Sequence, residues 1–583
     1  MAPQLKISSS VIERLNNVDY ACTGRLYGVV YENTLMVLTF TVDAKNGSDE
    51  TDTSHIYLQL NMPAEIDLCG VLSIGGSEQA ILYALKEIDV TDNPLLLKCG
   101  IRGTELQSYF YIHQKLEKAG SLEVLNELDI WQQFAYIRLE ASFPIVTRKD
   151  GLLEAIQEAR KNIASGKVGF YLPKNNVYLL GEEIDTKDSS LEFLQVPSAS
   201  LYEGIGHTKN ILKRIPEIVD AISADMFIIS TKDGVLEEGI RCAPVLQHVK
   251  QSFECLDCHL KIDALSLVSR NIGMAQLYAV LVESVCRNLK LTEQTLSNQL
   301  AKDGAVFKLP ESIHFKPRGC GHLFTINYPA GFSDADMYQY RRSLHTALAL
   351  DMTKPCFRKG NALKFRNDVD LNAPLLNPHE AIQNSGVAGG KPSLVDGLYS
   401  YHHYMQDHFD DNGWGCAYRS LQTIISWYIL HGYTEKSIPS HREIQRILVD
   451  IGDKPSSFIG SKQWIGSTEV GFVLETLLGV TIKVLCASTG QEMSSLASSL
   501  AYHFQTQGTP VMIGGGVLAH TILGIDYNEN SGDVKFLILD PHYTGGENLT
   551  TIITKGWCGW KNQDFWKKDA FYNMCLPQRP ICI

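Results

Sequence analysis

The sequence predicts an α+β fold divided into several domains, and three observations carry the prediction. At 583 residues the chain is too long for one ordinary domain, and a hydrophobic content of 44% is ample for two or three packed cores. Strand-like and helix-like patterns both occur before residue 361. Between about Asn361 and Gly397 the composition shifts to Asn, Pro and Gly without an apolar period, as in Asn372-Ala373-Pro374-Leu375-Leu376-Asn377-Pro378. Such a stretch reads as a linker or a long connecting loop.

Taken in order, Leu26–Val42 is rich in Val, Leu, Phe and Thr and reads as strand, and Ser54–Leu60 continues the pattern. Helical spacing appears at Glu78–Ile88 and Leu152–Ile163, so residues 1–160 are expected to form an α/β domain. Residues 161–360 form a second α/β region, with a helix at Ala275–Leu289 and a strand at His322–Tyr328. It carries no recognisable chemistry and is expected to bind a partner or substrate. Residues 361–393 are the expected linker, and a C-terminal domain is expected over 394–583.

The C-terminal part carries the chemistry. In Asp411-Asn412-Gly413-Trp414-Gly415-Cys416-Ala417-Tyr418-Arg419-Ser420, small residues give way to a helix whose apolar face is Leu421, Ile424, Ile425, Tyr428 and Ile429. Cys416 falls in the first turn, where unpaired N–H groups favour a thiolate. Gly413 and Gly415 are expected to leave room for another backbone near the sulfur. This segment alone fits either a nucleophile or a small buried hydrophobe. Further on, the apolar strand Val534–Leu539 ends in Asp540-Pro541-His542. Residues two apart on extended chain share a side, so Asp540 can steer the His542 imidazole. Nucleophile, orienting acid and base then occur in the order Cys, Asp, His. His520 is a rival base without a neighbouring carboxylate in sequence, and packing or support of the site suits it better. Trp414 is expected to wall a narrow channel together with Gly415, the alternative being a core indole.

Several long blocks resemble the ubiquitin-fold modifier-specific proteases: Tyr401–Asp407, Asp411–Ser420, Gly460–Ser467, Gly508–Gly524, Asp540–Gly545 and Leu576–Pro580. The long region before them resembles the type 2 form of that family. The resemblance implies a papain-like cysteine peptidase that cuts after the modifier's C-terminal glycine, both to mature the precursor and to release conjugated proteins. It implies Cys416 as nucleophile, Asp540 and His542 as its partners, and Tyr404 as the oxyanion-stabilising tyrosine. It needs no cofactor. It also implies the cytosol at the endoplasmic-reticulum surface, with a membrane-bound recruiting partner. Thr23–Val30 and Asp67–Gly76 resemble strands of the metal-peptidase fold shared by deubiquitinase and proteasome-lid subunits. Active members carry a His-x-His pair there, whereas this chain has Leu72-Ser73-Ile74. A metal-free, MPN-like binding domain is implied; an unrelated α/β domain is the alternative.

Composition excludes other classes. A net charge of −13 with no basic stripe argues against a nucleic-acid partner. No secretory segment follows Met1, and no apolar run is long enough to span a bilayer. The 14 cysteines are scattered, which suits reduced thiols. Cys255, Cys258 and His259 have half a zinc spacing that Cys320 and His322 could complete, but the gap and apolar surroundings favour chance. Gly389-Gly390-Lys391 fails as a phosphate loop because Pro392 stands where a hydroxyl residue is required. Two alternatives remain beside the peptidase: an adaptor that binds an endoplasmic-reticulum membrane partner through its N-terminal region, with proteolysis secondary or lost and compatible with the peptidase reading, and a peptidase for another ubiquitin-like tail.

Overall fold

The computed structural model describes residues 3–43, 58–75, 78–86, 88–174, 176–181, 221–228, 255–303, 308–365, 368 and 373–583. It divides into two compact units, the second holding residues 367–583 together with short preceding segments.

The first unit contains two main sheets. Its first sheet comprises β1 (Gln4–Ser8), β2 (Cys22–Tyr31), β3 (Thr34–Val42), β4 (Asp67–Ile74), β5 (Leu95–Cys99), β6 (Gln107–Ile112), β7 (Lys115–Lys118) and β8 (Leu122–Leu125). Their order is β7-β6-β5-β4-β2-β3-β1-β8. Every residue of β3 is buried, as a central strand covered on both faces requires. Leu72 and Ile74, at the place of the absent His-x-His pair, are core residues of β4. The second sheet has the order β11-β10-β12-β9-β13. It joins β9 (Phe134–Arg148), β10 (Val168–Leu172), β11 (Val177–Leu179), β12 (Ala221–Ile228) and β13 (Cys255–Ser269). The helices Leu152–Ala164 and Met274–Asp303 supply apolar residues to the core against it. A hairpin of β14 (Pro310–Phe315) and β15 (Phe324–Pro329) follows.

Two expectations are corrected here. The boundary at 160 falls inside the second sheet's own layer, because β9 pairs along its whole length with β13 and the Leu152–Ala164 helix packs with them. That sheet therefore begins near 134. The strand expected over Ser54–Leu60 lies partly outside the described residues, and its visible end, Leu58–Asn61, is a 3₁₀ turn.

The second unit is built on a sheet ordered β17-β22-β18-β19-β20-β21, with β16 also paired to β19. The strands are β16 (Lys391–Leu394), β17 (Ile482–Ala487), β18 (Val511–Gly515), β19 (Leu518–Tyr527), β20 (Val534–Leu539), β21 (Cys558–Lys561) and β22 (Tyr572–Pro577). One apolar cluster joins Met512, Ala519, Leu523, Leu537 and Leu539 of the sheet to the helices Cys416–Leu430, His441–Asp450 and Ser467–Leu478. A second gathers Ile513, Ile522, Ile538 and Met574 with the helix Ala497–Thr506. Helix on both sides of one sheet is the layering its alternating side chains require.

The described part of the expected linker is no free tether. Leu375 N–H donates to Glu547 (3.0 Å), Tyr399 N–H donates to Asn377 (3.0 Å), and Ser385 hydroxyl donates to Asp526. Asn377 there takes a left-handed φ of 43° before Pro378, which opens a short 3₁₀ turn. A Cβ on Gly390 would meet the Asp526 carboxylate at 2.2 Å, so close backbone approach is what that glycine provides.

Candidate active site

Cys416 is the first residue of the helix Cys416–Leu430, in which every position from Ala417 to Tyr428 is buried. The entry is made by backbone: the N–H groups of Trp414 and Gly415 both donate to the Asp411 carbonyl (3.2 and 2.9 Å). Gly413 supplies the left-handed φ of 83° that this turn needs. No side chain caps the helix, so its opening N–H groups remain available at the sulfur.

β20 ends one residue before Asp540, whose N–H donates to Trp557 carbonyl (2.7 Å). From there Asp540 Oδ1 accepts both the His542 backbone N–H (3.0 Å) and His542 Nδ1 (2.6 Å). That fixes the ring and leaves Nε2 for other work. Tyr401 hydroxyl donates to the Asp540 carbonyl, and Tyr404 N–H donates to the Pro541 carbonyl (2.9 Å). The Tyr404 ring then stands edge-on to His542, centroids 5.3 Å apart.

These groups meet at one sulfur. Burial alone would raise the Cys416 pKa, but hydrogen bonding and charge from His542, the Ala519 backbone and the Tyr404 phenol outweigh it and pull it below the ordinary thiol value. Burial likewise pulls His542 down, yet Asp540 and Cys416 together push it up to about 9. His542 Nε2 meets no partner by strict hydrogen-bond geometry although it interacts with the thiol. Catalytic contacts are often loose before substrate arrives, and thiol and imidazole here each favour the other's charged form. Tyr404 touches both the Cys416 backbone N–H and its thiol, and burial, then the Cys416 charge, hold the phenol protonated. A thiolate beside an imidazolium, with two donors converging alongside, can attack a carbonyl and hold the resulting oxyanion.

Residues 390–575 match the family model "Peptidase family C78". Residues 1–130 match "Insect UFM1-specific protease N-terminal MPN-like domain", and residues 204–370 match "Ubiquitin-fold modifier 1 specific protease 2, N-terminal". A "Probable Ufm1-specific protease 2" of Drosophila pseudoobscura pseudoobscura is 41% identical over the whole of both chains. The chain belongs to the Ufm1-specific protease 2 family. The Homo sapiens "Ufm1-specific protease 2" is 46% identical over 64% of this chain and 80% of its own. The crystal structure of UfSP from C. elegans covers all of both chains with a TM-score of 0.67 and 27% identity. Family and fold together make the chain a cysteine peptidase with a papain-like C-terminal domain and an MPN-like N-terminal domain.

Within this Ufm1-specific protease 2 family member, Cys416, Asp540, His542 and Tyr404 come together as the sequence suggests, while Trp414 and Gly415 do not take the expected places. Trp414 is 7% exposed and sits edge-to-face among Phe409, Tyr418 and His441. Those rings close over it, so it serves the core rather than an open channel wall. A Cβ on Gly415 would strike the Asp411 side chain at 2.6 Å, so this glycine makes room for Asp411 and not for substrate. His520 Nε2 lies 3.8 Å from Asp540 Oδ2, with its ring 5.3 Å from that of His542. Burial pushes its pKa down to about 4, leaving a neutral ring that flanks the acid. The ligand-type atoms of His520, Asp540 and His542 all lie within 4.8 Å of one another. Of the weighed zinc set, His322 is buried with Nδ1 donating to the Leu323 carbonyl (2.7 Å).

Sequence reasoning missed a buried polar network behind the nucleophile. Asp411 Oδ2 accepts from Arg419 Nε (2.6 Å) and pairs with His441 Nε2 (3.0 Å). Glu547 ties the tyrosine arm from the other side, accepting from Gln406 Nε2 (2.6 Å) and contacting His403 Nε2 (3.1 Å). The available signal was Arg419 itself, a charge three residues after the nucleophile in an otherwise apolar helix start. Long side chains of that kind are buried only when paired.

Proposed function

We propose that the chain hydrolyses the bond that follows the C-terminal glycine of the ubiquitin-fold modifier, in its precursor and in its lysine conjugates. Cys416 is the nucleophile, His542 the base and acid, Asp540 the residue that orients it, and Tyr404 with the Cys416 N–H the oxyanion donors. The carrying observation is geometric: Asp540 Oδ1 holds His542 Nδ1 at 2.6 Å, and the imidazole so fixed interacts with the thiol of Cys416 in the first turn of its helix. The thiolate adds to the glycine carbonyl carbon, forming a C–S bond and an oxyanion that the two donors receive. Collapse breaks the C–N bond as His542 Nε2 protonates the leaving amine. Water then attacks the thioester, giving its proton to His542, and the glycine carboxylate and thiolate are released. The names of the relatives support the choice of substrate.

The region before residue 367 is proposed to bind a membrane-bound partner at the cytosolic face of the endoplasmic reticulum. The MPN-like match, with Leu72-Ser73-Ile74 in place of a His-x-His pair, supports a binding role for this region. A Cys416→Ser chain tests both parts. Precursor cleavage should vanish while partner capture at the reticulum persists; undiminished cleavage would refute the peptidase assignment, and lost capture would refute the independent binding role.

A further inference from the structure

Three non-glycine residues within four positions beside Tyr404 are left-handed: Met405 (φ 64°), Asp407 (58°) and His408 (55°). Such backbone persists only where its surroundings over-determine it. Here Arg419, 1% exposed, donates from Nη2 to the Gln406 carbonyl (3.1 Å) and from Nη1 to Asp407 Oδ2 (3.2 Å). Asp411, fully buried, accepts the Met405 N–H at Oδ1 (2.8 Å) and Arg419 Nε at Oδ2. The same residue holds the other arm, since its carbonyl receives the N–H groups of Trp414 and Gly415 and its side chain fills the space Gly415 leaves open. One aspartate is thus bonded to the neighbour of Tyr404 and to the neighbour of Cys416.

We propose that Asp411, clamped by Arg419, is a positioning residue that keeps the two oxyanion donors in register before substrate arrives. The proposal rests on the thiol peptidase reading above. It assigns the ion pair a role in rate beyond its role in folding. Donors fixed in advance need no reorganisation as charge develops, so slackening them costs turnover and not affinity. The negative charge of Asp411 also adds to the burial and the Cys416 charge that keep the Tyr404 phenol protonated, and so able to donate.

The test uses the full chain, precursor cleavage as the readout, and Asp411→Asn alone and in a Tyr404→Phe background. Each variant is first checked for a native circular-dichroism spectrum. Asp411→Asn alone should lower kcat at least tenfold, bounded by the loss of about 10²–10³ that removal of a whole donor causes, with KM changed less than threefold. In the Tyr404→Phe background the same substitution should cost at least threefold less than it does alone, because one of the two donors it positions is already gone. Equal losses in both backgrounds, or a loss carried by KM, would overturn the clamp. Should Asp411→Asn not fold, Arg419→Lys is read by the same criteria, since it keeps the charge but loses the fork that reaches Gln406 and Asp407. Failure of the underlying reading looks different: Cys416→Ser would then still cleave.

Discussion

Replacing Tyr404 by Phe removes a single oxygen from the site and little else. The ring is 2% exposed and keeps its edge-on contact with His542 at 5.3 Å, and the backbone N–H keeps its bond to Pro541. Stability should therefore change by less than about 1 kcal/mol, the net worth of one ordinary hydrogen bond. The phenol also reaches the Cys416 backbone N–H and thiol, which places it beside the developing oxyanion. Loss of one such donor costs about 10²–10³ in kcat, or roughly 3–4 kcal/mol of barrier. Because the phenol is the smallest of the influences that lower the Cys416 pKa, and His542 the largest, thiol ionisation should move upward only slightly. The assay is steady-state cleavage of the modifier precursor, with kcat and KM separated, alongside alkylation of Cys416 as a function of pH. A kcat within threefold of the parent chain would refute the oxyanion role, and a large upward move of the alkylation profile would show that Tyr404 acts on the thiol instead.

Other outcomes follow from the same geometry. His542 lies above its ordinary value, so its imidazolium is retained until pH rises through about 9, whereas the thiolate forms below the usual thiol range. kcat/KM should thus rise on the acid side with thiol ionisation, hold across neutrality and fall near pH 9. Asp540→Asn should draw that basic limb downward, while His520→Gln should leave it in place because His520 is already neutral well below neutrality; a limb that ignores Asp540 contradicts the pairing. Gly415→Ala has an acceptable φ of −87°, so its cost is steric, a methyl pressed against Asp411 at 2.6 Å. Denaturant unfolding should show a loss of about 1–3 kcal/mol, together with reduced kcat; an unaltered midpoint would mean that Asp411 is free to move.

Much of the site was readable because it is local. The apolar spacing after Cys416 marks the helix, and Asp-Pro-His after an apolar run marks a strand end, so two of the three meeting points follow from short-range pattern. Tyr404 was reachable only through resemblance to a family. Its place depends on left-handed backbone at Met405, Asp407 and His408, which no propensity favours and which Arg419, more than ten residues away, holds in shape. Trp414 and Gly415 were misassigned for a related reason: the rings of Phe409 and His441 around Trp414 come from outside the window in which they were read, and the inward turn of Asp411 onto Gly415 depends on Arg419 and Met405 rather than on local pattern. In the first unit the helices Glu78–Lys86 and Leu152–Ala164 stand where periodicity puts them. Domain limits were less legible because β9 and β13, partners along fifteen residues, are more than a hundred positions apart in the chain. Strand pairing at that range is written in no local stretch.

The most direct measurement is covalent capture. The full chain is incubated with the ubiquitin-fold modifier ending in an electrophile in place of its C-terminal glycine carboxylate, and the adduct is mapped by peptide mass spectrometry. The account predicts one adduct per chain, on Cys416, abolished by His542→Ala. Labelling at any other cysteine of an active chain, or undiminished labelling of Cys416 without His542, would contradict it.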